Sequence, residues 1–211
     1  EDAGRIPALF SNGRATATVL LWTINFLNLL VLYFLTSWIP TLAHDAGLSL
    51  TAAMMLGTTL LAGGLAGAAV MGPLIDRVGF GKVLVPAAVA QAVLIACIGF
   101  TEGSTTLMFV VCALAGFCIY GGQPGVIALA GSVYPSSLRA TGIGWSLGIG
   151  RVGSILGPVI GGLLLQFQWS LQDLLIATAL PAALAAALLA VLCVRRRTPK
   201  EQFPASDESS A

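Results

Sequence analysis

Six stretches of the chain, residues 15–39, 51–75, 83–100, 105–131, 140–167 and 171–194, are each apolar over about the length a bilayer demands. A helix crossing a hydrocarbon core about 30 Å thick needs about 20 such residues at a rise of about 1.5 Å each. The runs are continuous rather than alternating, which selects helices over the strands of a membrane barrel. Only 9% of the 211 residues are charged and 57% are hydrophobic, whereas a soluble domain carries about a quarter charged residues. Lipid is therefore the solvent, and the fold class is an all-α membrane protein with six transmembrane helices. A net charge of +1 without a basic stripe excludes nucleic acid as a partner. Cys97, Cys112, Cys118 and Cys193 fall inside apolar runs without metal-ligand spacing and read as small buried hydrophobes, with no metal site expected.

Basic residues set the direction of insertion. Arg5, Arg14, Arg77, Lys82, Arg139, Arg195, Arg196, Arg197 and Lys200 all fall on one side if six spans alternate, and the opposite loops hold none. The positive-inside rule places that side, and both ends of this chain, in the cytoplasm. The outer loops keep His44, Asp45, Glu102 and Asp173, with Trp38 and Trp169 at the depth of interfacial anchors. Residues 195–211 read as a charge stop and a disordered cytoplasmic tail.

Gly72-Pro73-Leu74-Ile75 and Gly157-Pro158-Val159-Ile160 are 85 residues apart, as are Gly57 and Gly142, and Gly63 and Gly148. Three spans per copy makes the copies opposite in topology, a nested 3+3 inverted repeat. On the fifth span Gly142, Ser146, Gly150, Gly153, Gly157 and Gly161 share one face. Small residues let helices approach closely where lipid supplies no hydrophobic drive. Gly63 with Gly67, and Gly64, Ala68 with Gly72, offer the same on the second span.

Arg151 lies twelve residues after Arg139, about 18 Å into its helix and near the bilayer midplane. Arginine at that depth costs at least about 2.5–3.5 kcal/mol, so it must face protein or water. It projects opposite the small-residue face, beside Gly144 and Gly148, and no acidic residue of the chain shares its depth. The guanidinium fork prefers a carboxylate or phosphate. Its counter-ion is an anionic substrate, a carboxylate elsewhere in the protein, or backbone carbonyls. Asn25 and Asn28, one turn apart on the first span, either hydrogen-bond a ligand or tie helices together. The run Tyr120-Gly121-Gly122-Gln123-Pro124-Gly125 predicts a kinked or broken helix, with Tyr120 and Gln123 lining a cavity. Gln91 reads as a helix-packing amide. No span carries a catalytic pair, so no enzymatic activity and no catalytic residue is expected.

The segment Gly72-Pro73-Leu74-Ile75-Asp76-Arg77-Val78-Gly79-Phe80-Gly81-Lys82 resembles the cytoplasmic G-x-L-x-D-R-x-G-R-K loop of the major facilitator superfamily, departing from it at Phe80 and Gly81. Tyr134-Pro135 followed by Arg139-Ala140-Thr141-Gly142 resembles the inner loop before span eleven. More narrowly, residues 14–42 and 139–162 are similar to the aromatic acid:proton symporters of bacteria. The resemblance implies the C-terminal half of such a transporter, spans seven to twelve. Residues 1–14 would be the linker between halves, 15–194 the six-helix bundle and 195–211 the tail. It implies alternating access, inward proton movement driving uptake of benzoate- or hydroxybenzoate-type acids, no cofactor, and an inner-membrane location. The partners implied are the aromatic carboxylate, the N-terminal six-helix half and the lipid bilayer. The first, second, fourth and fifth helices would line the cavity, with Arg151, Asn25, Asn28, Tyr120 and Gln123 toward substrate. Asp76, Arg77, Lys82 and Arg139 would serve the gating loops, Asp76 by capping a helix of the other half. Gly150, Gly153, Gly157 and Gly161 would pack helices.

Overall fold

The structure, a computed structural model, describes residues 6–11, 13–101 and 103–197. Among these residues six helices are long and apolar enough to cross a membrane. In chain order the helices are α1 (Ile6–Phe10), α2 (Ala15–Asp45), α3 (Leu50–Val78), α4 (Phe80–Ile98), α5 (Thr105–Val133), α6 (Arg139–Gln166) and α7 (Leu171–Arg197). Arg5, Glu102, Lys200 and the tail from residue 198 on lie outside the described residues.

The helices outrun the apolar stretches. α2 continues through Pro40 to Asp45 instead of stopping at Ile39. Each long helix carries one internal proline (Pro40, Pro73, Pro86, Pro124, Pro158, Pro181). Neighbouring helices satisfy the backbone groups a membrane proline leaves free, so it does not end the helix. α5 likewise runs unbroken through Gly121, Gly122 and Pro124, so of the kink or break expected there the break does not occur. Its glycines serve close approach instead. A Cβ on Gly121 would overlap the Gly67 backbone, and one on Gly125 would meet Ile75 and Leu84. α7 extends through Arg197, so residues 195–197 are helix rather than tail. Residues 6–10, expected as linker, form α1, whose Leu9 is fully buried. Thr18 Oγ1 donates to Leu9 O at 2.8 Å, and the Tyr134 hydroxyl donates to Thr18 Oγ1 at 3.2 Å. Burial holds the Tyr134 phenol above its ordinary pKa, with the Thr18 hydrogen bond and the Arg14 charge pulling it back.

The motif at 72–82 is almost all helix. Asp76 and Arg77 close α3, Lys82 opens α4, and Gly79 alone joins them. Gly79 sits at φ 92°, ψ 156°, a region that essentially only glycine occupies. No atom lies within 4 Å of a Cβ built there, so the Gly79→Ala penalty is purely conformational, about 1–3 kcal/mol. Gly79→Ala is expected to lower the melting temperature in detergent by roughly 2–4 °C per kcal/mol lost. Gly72→Ala, helical and facing open space, should not lower it.

Two glycine-lined interfaces dominate the packing: α2 with α6, and α3 with α5. Gly153 presses on the Phe26 carbonyl, Gly157 on that of Leu30 and Gly161 on the Trp38 indole, so α2 and α6 run parallel. Gly63 and Gly67 press on Ala113 and Phe117 in the same way. An axis exchanging α2–α4 with α5–α7 turns one interface into the other, while α4 packs on α7; this is the nested inverted repeat. The matching glycines are Gly63 with Gly153 and Gly67 with Gly157, ninety residues apart rather than 85. Gly148, paired with Gly63 by sequence offset, faces open space. Trp38, expected as an interfacial anchor, also donates its indole N–H to Pro158 O at 3.0 Å. Cys112 and Cys118 are buried as expected, but Cys97 is exposed, which a weakly polar thiol tolerates.

Apolar side chains form two clusters. The first gathers Leu29, Leu35, Leu60, Ile95 and Ile119; the second gathers Ile24, Ile75, Leu84, Val126 and Leu189. Asn25 and Asn28 on α2, Gln91 on α4 and Gln123 on α5 fall at the boundary between them along each helix. A polar layer thus divides the bundle at mid-depth.

Candidate functional site

The polar layer is a chain of hydrogen bonds across four helices. Gln91 Nε2 donates to Asn28 Oδ1 at 3.3 Å, and Asn28 Nδ2 donates to Gln123 Oε1. Gln123 Nε2 donates to Asn25 Oδ1 at 3.3 Å, and Asn25 Nδ2 donates to Ser146 Oγ at 2.6 Å. Asn25 is 0% exposed, Ser146 1%, Gln91 5% and Asn28 8%, while Gln123 is half-buried. Polar groups this deep must be paired, because an unpaired amide costs a few kcal/mol in apolar surroundings. Of the two alternatives for Asn25 and Asn28, the helix-to-helix bond is the one formed in this conformation. Gln91 is a packing amide, as expected, and also the head of the chain. A cavity of about 20 Å³ lies beside it, lined by Asn28, Gln91 and apolar side chains of α2, α4, α5 and α7.

Arg151 stands apart from this layer on the open face of the bundle. It is exposed, and Nη1 donates to the Tyr33 hydroxyl at 3.4 Å. Among the described residues no carboxylate pairs with it. Gly150 and Gly153 on either side of it in sequence press on α2, so the guanidinium projects away from that packed face, as the helical spacing predicts. Gly148 and Gly144, one and two turns earlier, meet nothing within 4 Å and line an open groove with Thr141 and Trp145. Trp145 in turn stacks on Trp22, ring centroids 6.0 Å apart.

Tyr120 is half-buried, and its hydroxyl lies 2.6 Å from Thr36 Oγ1, which is exposed. Thr36 follows Tyr33 by one turn on α2, so Tyr120 meets the side of that helix that carries Tyr33. The structure therefore gathers Arg151, Tyr33, Tyr120 and Thr36 into an exposed wall, and Asn25, Asn28 and Gln123 into the layer beneath. Chemically, this wall offers an unneutralised fork for an anion, two aromatic faces, and hydroxyls that both donate and accept. Tyr33 is the member the sequence reading omits; a polar tip one turn before Thr36 in an apolar span is the signal that marks it. Asp76, Arg77, Lys82 and Arg139 lie far from the wall along their helices, at the end of the bundle where α3, α4 and α6 begin or finish, and all four are exposed. Asp76 sits in the last turn of α3, where the helix dipole disfavours an anion, and the chain supplies it no partner among the described residues.

The sequence profile described as Major Facilitator Superfamily matches residues 21–210. The chain belongs to the major facilitator superfamily. Its six long helices are one half of the major facilitator fold, and members of this superfamily are transporters rather than enzymes. A 4-hydroxybenzoate transporter, PcaK, of Pseudomonas aeruginosa is 42% identical over 85% of this chain and 40% of its own length. A gallate transporter of Pseudomonas putida is 39% identical over 87% of this chain and 40% of its own length. A benzoate transport protein of Acinetobacter baylyi is 32% identical over 85% of this chain and 38% of its own length. The chain thus spans about two fifths of the length of these major facilitator relatives.

Proposed function

We propose that this chain is the C-terminal half of a proton-coupled importer of aromatic carboxylates such as benzoate or hydroxybenzoate, working by alternating access. One observation carries the reading. Arg151 stands at mid-helix on an open face, held by a tyrosine hydroxyl and by no carboxylate among the described residues. A cation so placed needs an anion, and an aromatic acid supplies one together with a ring that the Tyr33 and Tyr120 faces accommodate. Transporters of 4-hydroxybenzoate, gallate and benzoate are the similar proteins, which supports the same substrate class.

In this reading the N-terminal six-helix half covers the open wall. Asp76 caps a helix N-terminus of that half, latching the outward-facing state, and Arg77, Lys82 and Arg139 serve the same cytoplasmic gate. The protein lies in the bacterial inner membrane with both ends of this chain in the cytoplasm, as the nine-to-none distribution of basic residues supports. The test is uptake by the full-length protein in proteoliposomes. Labelled benzoate or 4-hydroxybenzoate should accumulate when the outside is acidic and stop when an ionophore collapses the pH gradient. Gradient-independent transport of an uncharged sugar or drug overturns the reading.

A further inference from the structure

We infer that Gln91 is a positioning residue for recognition of a ring hydroxyl on the substrate, acting through Asn28 and Gln123. The inference rests on the aromatic-acid reading above. Gln91 belongs to α4, a helix outside the Arg151 wall, and is buried among apolar neighbours. A leucine would fill that site without the cost of burying an amide. Gln91's hydrogen bond among the described residues is the one to Asn28 Oδ1. The amide therefore serves Asn28.

Its effect reaches the open side because the chain has one direction. With Oδ1 held by Gln91, Asn28 turns Nδ2 to Gln123 Oε1, and Gln123 then turns Nε2 to Asn25 Oδ1. Each bond polarises the next, so such a chain is stiffer than its pairs. Gln123 is the one chain member that is not fully buried. An amide has two N–H groups and two lone pairs on oxygen. Gln123 spends one of each inside the chain, leaving one N–H and one lone pair in fixed directions. A phenol both donates and accepts, and matches that pair. Arg151 then takes the carboxylate while Gln123 takes the hydroxyl. Without Gln91, Asn28 is free to turn into the neighbouring cavity of about 20 Å³, and the orientation of Gln123 is lost.

The experiment compares KM and maximal rate for 4-hydroxybenzoate and for benzoate, in proteoliposomes of the full-length protein and of its Gln91→Met variant. The expected result is a KM for 4-hydroxybenzoate raised about tenfold, the value of one lost hydrogen bond. The KM for benzoate and both maximal rates should stay within about twofold. The ratio of the two KM values does not depend on how much protein is folded, so a lowered yield leaves the result readable. Should Gln91→Met fail to reach the membrane, Gln91→Asn keeps an amide but shortens it out of reach of Asn28 Oδ1, and must show the same selective loss. Equal weakening of both acids means a purely structural Gln91 and overturns the inference, as does an unchanged ratio. A wild-type protein that carries benzoate but not 4-hydroxybenzoate overturns the hydroxyl inference alone, and one that carries neither acid overturns the proposed function with it.

Discussion

Uptake of aromatic acid by the full-length protein carrying Arg151→Ala is expected to fall at least about a hundredfold. Hydrogen bonds to a charged group contribute about 1.5–3 kcal/mol each, and an arginine fork makes two with a carboxylate. Stripping the fork also leaves the substrate anion uncompensated in a low-dielectric site, which makes truncation costlier than the bond alone. About 2.7 kcal/mol already equals a hundredfold. Arg151→Lys keeps the charge but not the planar fork, so it should recover part of the activity with a raised KM. Tyr33→Phe removes the hydroxyl that Arg151 contacts at 3.4 Å; its effect should be smaller, since one neutral bond is lost. Initial rates in proteoliposomes, normalised to reconstituted protein, decide the matter. A contrasting outcome is specific: if Arg151 instead pairs with a carboxylate of the other half, Arg151→Ala lowers thermal stability while substrate KM stays near wild type. That pattern would remove the anion from the Arg151 site.

The second large effect concerns folding. Gly153→Ala and Gly157→Ala each place a methyl group against a backbone carbonyl, of Phe26 and of Leu30 respectively. Backbone cannot swing aside as a side chain can, so α2 and α6 must separate along their whole parallel contact. Overpacking of this kind costs about 1–3 kcal/mol per site. Two such sites on one interface consume much of the about 5–15 kcal/mol that holds a typical fold. The double variant is expected to disappear from the membrane fraction, and each single variant to melt earlier in detergent. Gly144→Ala and Gly148→Ala lie on the same helix but meet nothing within 4 Å, so both should accumulate normally. Equal melting temperatures across all four single variants would show that the two helices do not depend on this close approach.

Gly144 and Gly148 were separable from Gly153 and Gly157 by helical spacing, which puts the two pairs on opposite sides of α6; what each side meets was not. Their different roles come from which side of α6 meets α2. The helical wheel put Gly150, Gly153, Gly157 and Gly161 on one face, and that face is buried, but the facing residues, Asn25 to Trp38, needed the crossing geometry. The same holds for Asn25 and Asn28. Their depth was legible from their distance to Arg14; their choice of partners among ligand, Ser146 and Gln123 was not. Offset searching misaligned the repeat by five residues because glycine and proline recur often enough to match by accident. Contacts align it without that ambiguity.

Chain sequence alone determined the six spans, their likeness to a major facilitator half and the presence of an arginine with no acidic residue at its depth. The reason is local: hydrocarbon imposes length and charges a penalty residue by residue, so each signal is complete within one span. Tertiary structure alone decided that four amides and a serine form one directed chain, that Tyr33 meets Arg151, and that Tyr120 meets Thr36. Those pairs join residues 63 to 121 positions apart, and they depend on the register and crossing of packed helices, which no single span encodes.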